Sequence, residues 1–201
     1  ALRDARPVEW LYDNFDIDAR WALVHATHLT EDETLRIVAS GATVVLCPTT
    51  EANLGDGLFP LRDYLDAGGR WGIGSDSHIS ISPVEELRWL EYGQRLVTRR
   101  RNIAVGISES VGETLLHGAL ANKPAVTGID TSGDWITLDD SAPTLAGATQ
   151  ADLIDRWIFS GNRSAVDTVH VGGQALVAGG RHRDRDAIAA RYGAAIRQLL
   201  A

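Results

Sequence analysis

The sequence contains no methionine and a single cysteine in 201 residues. Because Cys47 has no partner for an internal disulfide, a reducing compartment is favoured, and we expect a cytoplasmic protein. The first residues, 1–4, include neither an initiator methionine nor an apolar signal segment. That start is the one expected of a chain that begins part-way through a longer protein. No apolar run approaches the roughly 20 residues of a transmembrane helix, so we expect no membrane partner.

Positive charge is also scarce, with 19 Lys and Arg against 27 Asp and Glu and a formal net charge of −8. Nucleic-acid binding depends on clustered positive charge, so a nucleic-acid partner is not expected and a small-molecule substrate is. The one basic cluster, Arg99 to Arg101, ends a predicted helix and is interpreted as a solvated helix terminus.

Several catalytic motifs are missing as well. Ser75 lies in Gly-Ser-Asp instead of the Gly-x-Ser-x-Gly of serine hydrolases, and no Gly-rich phosphate loop is present. Cys47 closes an apolar strand-like run beside Pro48, which is typical of a small buried hydrophobic residue and not of a nucleophile.

Residues 1–130 alternate strand-like and helix-like segments, which predicts a parallel α/β fold. Capping boxes at Thr30 and Ser82 mark two helix starts, and Gly41 is placed to end the first of these helices. The predicted strands are 21–25, 43–47 and 71–74, the predicted helices are 7–14, 30–40, 61–67 and 82–101, and 49–57 is predicted as a loop.

Residues 131–201 are predicted to form a small β-rich part followed by a helix. The predicted strands are 135–138, 155–159, 168–171 and 175–177, with a helix over 184–200. Gly172-Gly173 predicts a hairpin between the last two strands. We therefore expect two domains, residues 1–130 and 131–201.

Polar residues follow each of the three predicted strands of the first part. In a (β/α) barrel this is the functional face. Asp76 could bind a divalent metal or take a proton from water, although short Asp residues in Gly/Ser loops are more often turn residues. His25 could polarise an oxygen, ligate a metal or simply hydrogen-bond at a strand end. His28 is interpreted either as structural or as a support for a residue of the site, and His78 as facing either the pocket or solvent. The other histidines, His117, His170 and His182, are interpreted as structural.

Three segments resemble the last three barrel-strand ends of deaminases in the amidohydrolase superfamily. They are Leu23-Val24-His25-Ala26-Thr27-His28, Cys47 to Gly57, and Gly72-Ile73-Gly74-Ser75-Asp76-Ser77-His78. The run from Ser82 to Gln94 resembles, more narrowly, the deiminases that convert N-formimino-L-glutamate and water to N-formyl-L-glutamate and ammonia in histidine degradation.

The resemblance implies strands six to eight of a (β/α)8 barrel, a C-terminal share of a small β-sandwich and a final helix. It implies a metal-dependent hydrolase with one divalent ion, most simply Zn²⁺, and a homodimer in the full-length protein. Asp76 matches the metal ligand and proton shuttle of the last strand. His25 matches the sixth-strand histidine that orients the attacking water. No residue of 49–57 matches a motif with a role, and the substrate contacts are unknown.

The sequence departs from the family pattern in containing no His-x-His pair and no His-x-x-Glu that matches the fifth-strand motif. Two candidate groups cannot make a four-ligand site. We therefore expect this chain alone to be inactive, poor in metal and prone to aggregation. Two alternatives stay open, namely another aminohydrolase such as a guanine deaminase, and a non-catalytic scaffold piece.

Overall fold

Three short parallel strands form the sheet of the first of two units in the computed structural model, which describes residues 5–106, 110–129 and 131–201. The first unit comprises Ala1–Ile129 and Ala148–Ser160, and the second Asp130–Gly147 and Gly161–Ala201. The strands are β1 (Ala22–Val24), β2 (Thr43–Leu46) and β3 (Arg70–Ile73). The helices of this unit are α1 (Pro7–Asn14), α2 (Glu31–Ser40), α3 (Pro48–Leu54), α4 (Leu61–Asp66), α5 (Pro83–Thr98), α6 (Val111–Ala121), α7 (Lys123–Thr127) and α8 (Leu153–Phe159).

The parallel pairing of the sheet aligns the carboxyl ends of its strands. Val44 in the central strand lies opposite Leu23 on one side and Trp71 on the other. The hydrogen bonding continues past the strands, since the His25 N–H donates to the Val45 carbonyl and the Gly74 N–H donates to the Leu46 carbonyl, both at 2.9 Å. The residues that follow β1 and β3 are therefore held at one edge of the sheet, beside the end of β2.

Burial on both faces explains why polar and apolar residues do not alternate along β2. All four of its residues are buried, because helices pack on the sheet and a strand covered on both faces carries apolar or β-branched residues throughout. The largest side chains of this core are Ile37, Leu46, Phe59, Leu61, Tyr64, Trp71, Leu87, Leu115 and Ile158.

The second unit contains a four-stranded antiparallel sheet. Its strands are β4 (Trp135–Leu138), β5 (Val166–Val171), β6 (Gln174–Ala178) and β7 (Arg181–His182), paired in that order and followed by α9 (Arg185–Leu199). The predicted hairpin is confirmed, because Val171 pairs with Gln174 across Gly172 and Gly173, whose φ angles of 56° and 78° suit glycine in a two-residue turn.

Two sequence predictions of secondary structure are wrong. Residues 49–57 are not a loop, since α3 begins at Pro48 and ends before Gly55, which takes the left-handed cap conformation with φ 74°. Residues 155–159 are not a strand, since they belong to α8. The Gly112 N–H donates to the Asp155 carboxylate at 2.6 Å, and Ile158 is buried in the core, so contacts to α6 and the core override the strand-like composition. Helices α6 and α7 were not predicted.

The predicted capping box at Thr30 is confirmed. The Glu33 N–H donates to Thr30 Oγ1 at 3.2 Å, and the Thr30 N–H donates to Glu33 Oε2 at 2.8 Å. Gly41 ends the helix with φ 73°, as predicted.

We expect Thr30→Ala to lower the free energy of unfolding by about 1 kcal/mol, because the Glu33 N–H loses its acceptor at the helix start. Thr30→Ser keeps the hydroxyl oxygen and should cost only a fraction of this. Urea unfolding of the two variants checks the expectation, and equal losses would show that the hydroxyl does not cap the helix.

Candidate active site

His25 follows β1 directly and has a left-handed backbone, with φ 69°. Its ring lies between two carboxylates. Nδ1 is 3.2 Å from Glu51 Oε1, and Nε2 is 3.9 Å from Asp76 Oδ2. The side chain is 35% exposed, so one side of the ring is open while the Glu51 side is buried. The structure thus brings together the two residues that the sequence singled out, His25 and Asp76.

Asp76 follows β3 and also has a positive φ, of 43°. Its side chain is 40% exposed. Within the described part of the chain, no hydrogen-bond donor reaches its carboxylate, which argues against the turn-capping interpretation, since a turn aspartate bonds to nearby backbone N–H groups. An acceptor with free lone pairs beside His25 Nε2 can instead take a proton or bind a cation.

Strained backbone marks this edge of the sheet. Besides His25 and Asp76, the non-glycine residues Ala26 and His78 have φ angles of 52° and 56°. Left-handed conformations at such residues cost on the order of 1 kcal/mol or more each and cluster at functional sites. The hydrogen bond from the His25 N–H to the Val45 carbonyl holds His25 at the edge of the sheet.

Glu51 is a site residue that the sequence analysis missed. It lies in the first turn of α3, is only 5% exposed, and its Oε1 accepts a hydrogen bond from the Cys47 N–H at 2.8 Å. Burial raises the pKa of Glu51, and the hydrogen bonds from Cys47 and His25 oppose this. The sequence does contain a signal for this helix. Pro48 occupies its first position and Gly55 follows its end, a pattern that is typical of helix termini.

Helix α3 is anchored by a second buried carboxylate. Glu86, on α5, is 2% exposed and accepts hydrogen bonds from the Thr49 N–H at 2.9 Å and from Thr49 Oγ1 at 2.6 Å. Burial raises the pKa of Glu86, partly offset by these bonds. The first turn of α3, and with it Glu51, is thereby attached to α5.

Cys47 lies after β2, at the N-cap of α3, and not within the strand as predicted. Ligand atoms of His25, Cys47 and Glu51 lie within 4.8 Å of one another, so the three could be read as a metal site. Burial, followed by the charges of nearby carboxylates, raises the pKa of the Cys47 thiol to about 12. With no metal bound the sulfur therefore keeps its proton at neutral pH, which argues against a nucleophile.

Among the described residues, the remaining histidines form no hydrogen bond or ion pair with His25, Glu51 or Asp76. His28, His78 and His117 are exposed, and the His28 carbonyl accepts a hydrogen bond from Arg6. In the second unit, the His170 ring stacks on Trp135 with centroids 3.6 Å apart, and His182 Nδ1 accepts from the Asp184 N–H at 3.1 Å.

The residues present fit part of a metal site. The half-exposed carboxylate of Asp76 is a suitable oxygen ligand, and His25 Nε2, 3.9 Å from it, is a suitable nitrogen ligand. A closed zinc site needs about four ligands. Asp76 and His25 supply two, so these residues do not complete such a site.

Comparison with known proteins assigns the chain to a family. The amidohydrolase family matches residues 3–174. The chain belongs to the amidohydrolase family. A formimidoylglutamate deiminase of Pseudomonas aeruginosa is 45% identical over 203 residues, which cover 97% of this chain and 45% of that protein. The chain thus spans about half the length of this curated relative.

Solved structures agree with this assignment. An amidohydrolase from Brucella melitensis superimposes with a TM-score of 0.92 at 43% identity, over 99% of this chain and 45% of that one. A zinc-bound adenosine deaminase from Xanthomonas campestris gives a TM-score of 0.79 at 22% identity, over 98% and 45%, and shows the fold alone. The predicted fold, part of an amidohydrolase barrel, is confirmed.

We expect Cys47 to react very slowly with iodoacetamide at neutral pH in the folded protein, because its thiol is buried and protonated. In guanidinium chloride the same thiol should react fully, since it is then exposed. Mass spectrometry counts the adducts in both states, and fast labelling of the folded protein would contradict the raised pKa.

A second expectation concerns the pH dependence of stability. Because burial raises the pKa of Glu86 in the folded state, its contribution to stability is complete below the unfolded pKa, about 4.3, and is lost as pH rises through the folded pKa. Glu86→Gln stays neutral, so its stability relative to wild type should improve between about pH 4 and pH 7. Urea titrations across that range measure the difference, and a constant offset would refute the shift.

Proposed function

We propose that the protein containing this chain is a metal-dependent deiminase that hydrolyses N-formimino-L-glutamate to N-formyl-L-glutamate and ammonia. The observation that carries the proposal is the convergence of His25 Nε2 and Asp76 Oδ2, 3.9 Å apart at the strand ends. They converge in a chain 45% identical to a formimidoylglutamate deiminase. The proposed reaction adds water to the formimino carbon, and cleavage of the C–N bond releases ammonia.

Asp76 would serve as a metal ligand and as the acceptor of the water proton. Its carboxylate is half-open and has no hydrogen-bond donor among the described residues, so its lone pairs are available for both tasks. When bound, a zinc-type ion supplies Lewis acidity that lowers the pKa of water to near neutrality.

His25 would orient the attacking water. Its Nε2 lies on the same side as the Asp76 carboxylate, so a water near both groups could donate to one and be aligned by the other. The ring is only about one-third exposed, which limits the orientations that it can adopt.

The rest of the site would come from protein outside this chain. The chain covers under half of the relatives that it matches, and Asp76 with His25 supplies too few groups to hold an ion. We further propose that residues 1–130, joined by Ala148–Ser160, complete a barrel, that the rest of 131–201 contributes to a β-sandwich, and that the whole protein is a cytoplasmic homodimer. Among the described residues, no helix combines the length and the apolar character needed to cross a membrane.

The test compares this chain with the extended protein, defined as this chain continued upstream in its reading frame. We expect bound zinc and ammonia release from N-formimino-L-glutamate in the extended protein and neither in the chain alone. Release from guanine instead would identify another aminohydrolase. Absence of any release and of metal would favour a non-catalytic role.

In the extended protein, Asp76→Asn and His25→Gln should each lower kcat by about 10²-fold to 10⁴-fold, the range for a lost proton-transfer group. Asp76→Asn should also lower the zinc content, whereas His25→Gln should leave it unchanged. The control is His117→Gln, an exposed histidine on α6 with no hydrogen bond to His25 or Asp76, which should keep wild-type activity. Wild-type activity in Asp76→Asn would refute the assigned roles.

A further inference from the structure

We propose that Glu51 is a positioning residue that fixes the tautomer and the orientation of His25. The proposal deepens the proposed function and rests on it for one of its two readouts. It follows from the direct contact between Glu51 Oε1 and His25 Nδ1, at 3.2 Å, and from the burial of the carboxylate.

The bonding at Glu51 Oε1 decides which ring nitrogen carries the proton. This oxygen already accepts from the Cys47 N–H at 2.8 Å, so it faces His25 as a hydrogen-bond acceptor. A favourable contact with His25 therefore requires the proton on Nδ1. A neutral ring that donates from Nδ1 has a free lone pair on Nε2, the nitrogen that faces Asp76.

The position of Glu51 is itself constrained by the surrounding structure. Pro48 begins α3, and Thr49 in its first turn donates two hydrogen bonds to the buried Glu86 of α5. The oxygen that contacts His25 is thus held by the Cys47 N–H, and the helix turn that carries Glu51 is attached to α5 through Thr49. A rigid acceptor of this kind orients an imidazole better than a mobile surface carboxylate would.

The competing assignment makes Glu51 a metal ligand together with His25 and Cys47. That assignment requires the Cys47 thiol to lose its proton, in a setting where burial opposes the loss, and requires Oε1 to leave the Cys47 N–H. A metal assay separates the two assignments, because a ligand substitution removes metal and a positioning substitution does not.

The substitutions Glu51→Gln and Glu51→Ala separate the effect of the hydrogen-bond acceptor from the effect of the charge. Both donors converge on one oxygen, so a glutamine can place its carbonyl oxygen there and keep both hydrogen bonds. Alanine removes the acceptor altogether. A control at another buried carboxylate is Glu91→Gln, because Glu91 is fully buried in the same unit and accepts from the Ile103 and Ala104 N–H groups and from Arg95 Nε, with no hydrogen bond to His25.

The first measurement is the ¹⁵N NMR spectrum of the histidine rings in the extended protein, with the His25 signals assigned as those lost in His25→Gln. We expect the Nδ1–H tautomer in wild type, Glu51→Gln and Glu91→Gln, and a shift toward the Nε2–H tautomer in Glu51→Ala. This readout needs no substrate. An Nε2–H tautomer in wild type, or an unchanged spectrum in Glu51→Ala, would overturn the proposal.

The second measurement is steady-state turnover of N-formimino-L-glutamate with zinc content. Glu51→Ala should lower kcat by about 10-fold to 100-fold, the usual effect of losing a group that orients a catalytic histidine, with little change in KM or bound zinc. Glu51→Gln should lose much less. Equal loss in both variants, or loss of zinc in Glu51→Gln, would overturn the proposal. If wild type is inactive on this substrate, the proposed function fails while the tautomer result still tests Glu51.

Discussion

The parallel pairing of three short strands is the constraint on which the rest of the site depends. Because the ladder continues through the His25 and Gly74 N–H groups, the chain leaves both outer strands at the same level as the end of β2. Holding the His25 amide in the ladder while the chain turns away places the residue in a left-handed conformation. The imidazole then lies between Glu51 and Asp76, which no stretch of sequence could bring together locally.

Two buried carboxylates, those of Glu51 and Glu86, also support this edge of the sheet. Burying a carboxylate is costly unless its oxygens accept hydrogen bonds. Glu51 accepts from the Cys47 N–H and Glu86 accepts from the Thr49 N–H, so each is satisfied by backbone at the start of α3. Burial, and after it the charges of nearby carboxylates, raises the pKa of the Cys47 thiol. The buried Glu51 oxygen is left as a hydrogen-bond acceptor beside the His25 ring.

Local signals in the sequence were sufficient for much of the fold. Thr30 and Gly41 bound α2 as predicted, and His25 and Asp76 were found from their positions after apolar strands. Long-range contacts explain the failures. The segment 155–159 has a strand-like composition, but burial of Ile158 makes it helical. Glu51 was missed because its role depends on a partner 26 residues away, and its short helix was taken for a loop.

The proposed site separates into residues that would orient His25 and residues that would hold an ion. The hydrogen bonds that fix Glu51 and anchor α3 join residues 4 to 37 positions apart, all within the first unit. The orientation of His25 can therefore form wherever this unit folds. The proposed metal binding is different, because Asp76 and His25 alone are too few groups to hold an ion. An imidazole that is aligned before the ion binds loses less conformational entropy when the complete site assembles. This would explain why buried hydrogen bonds hold the carboxylate beside His25.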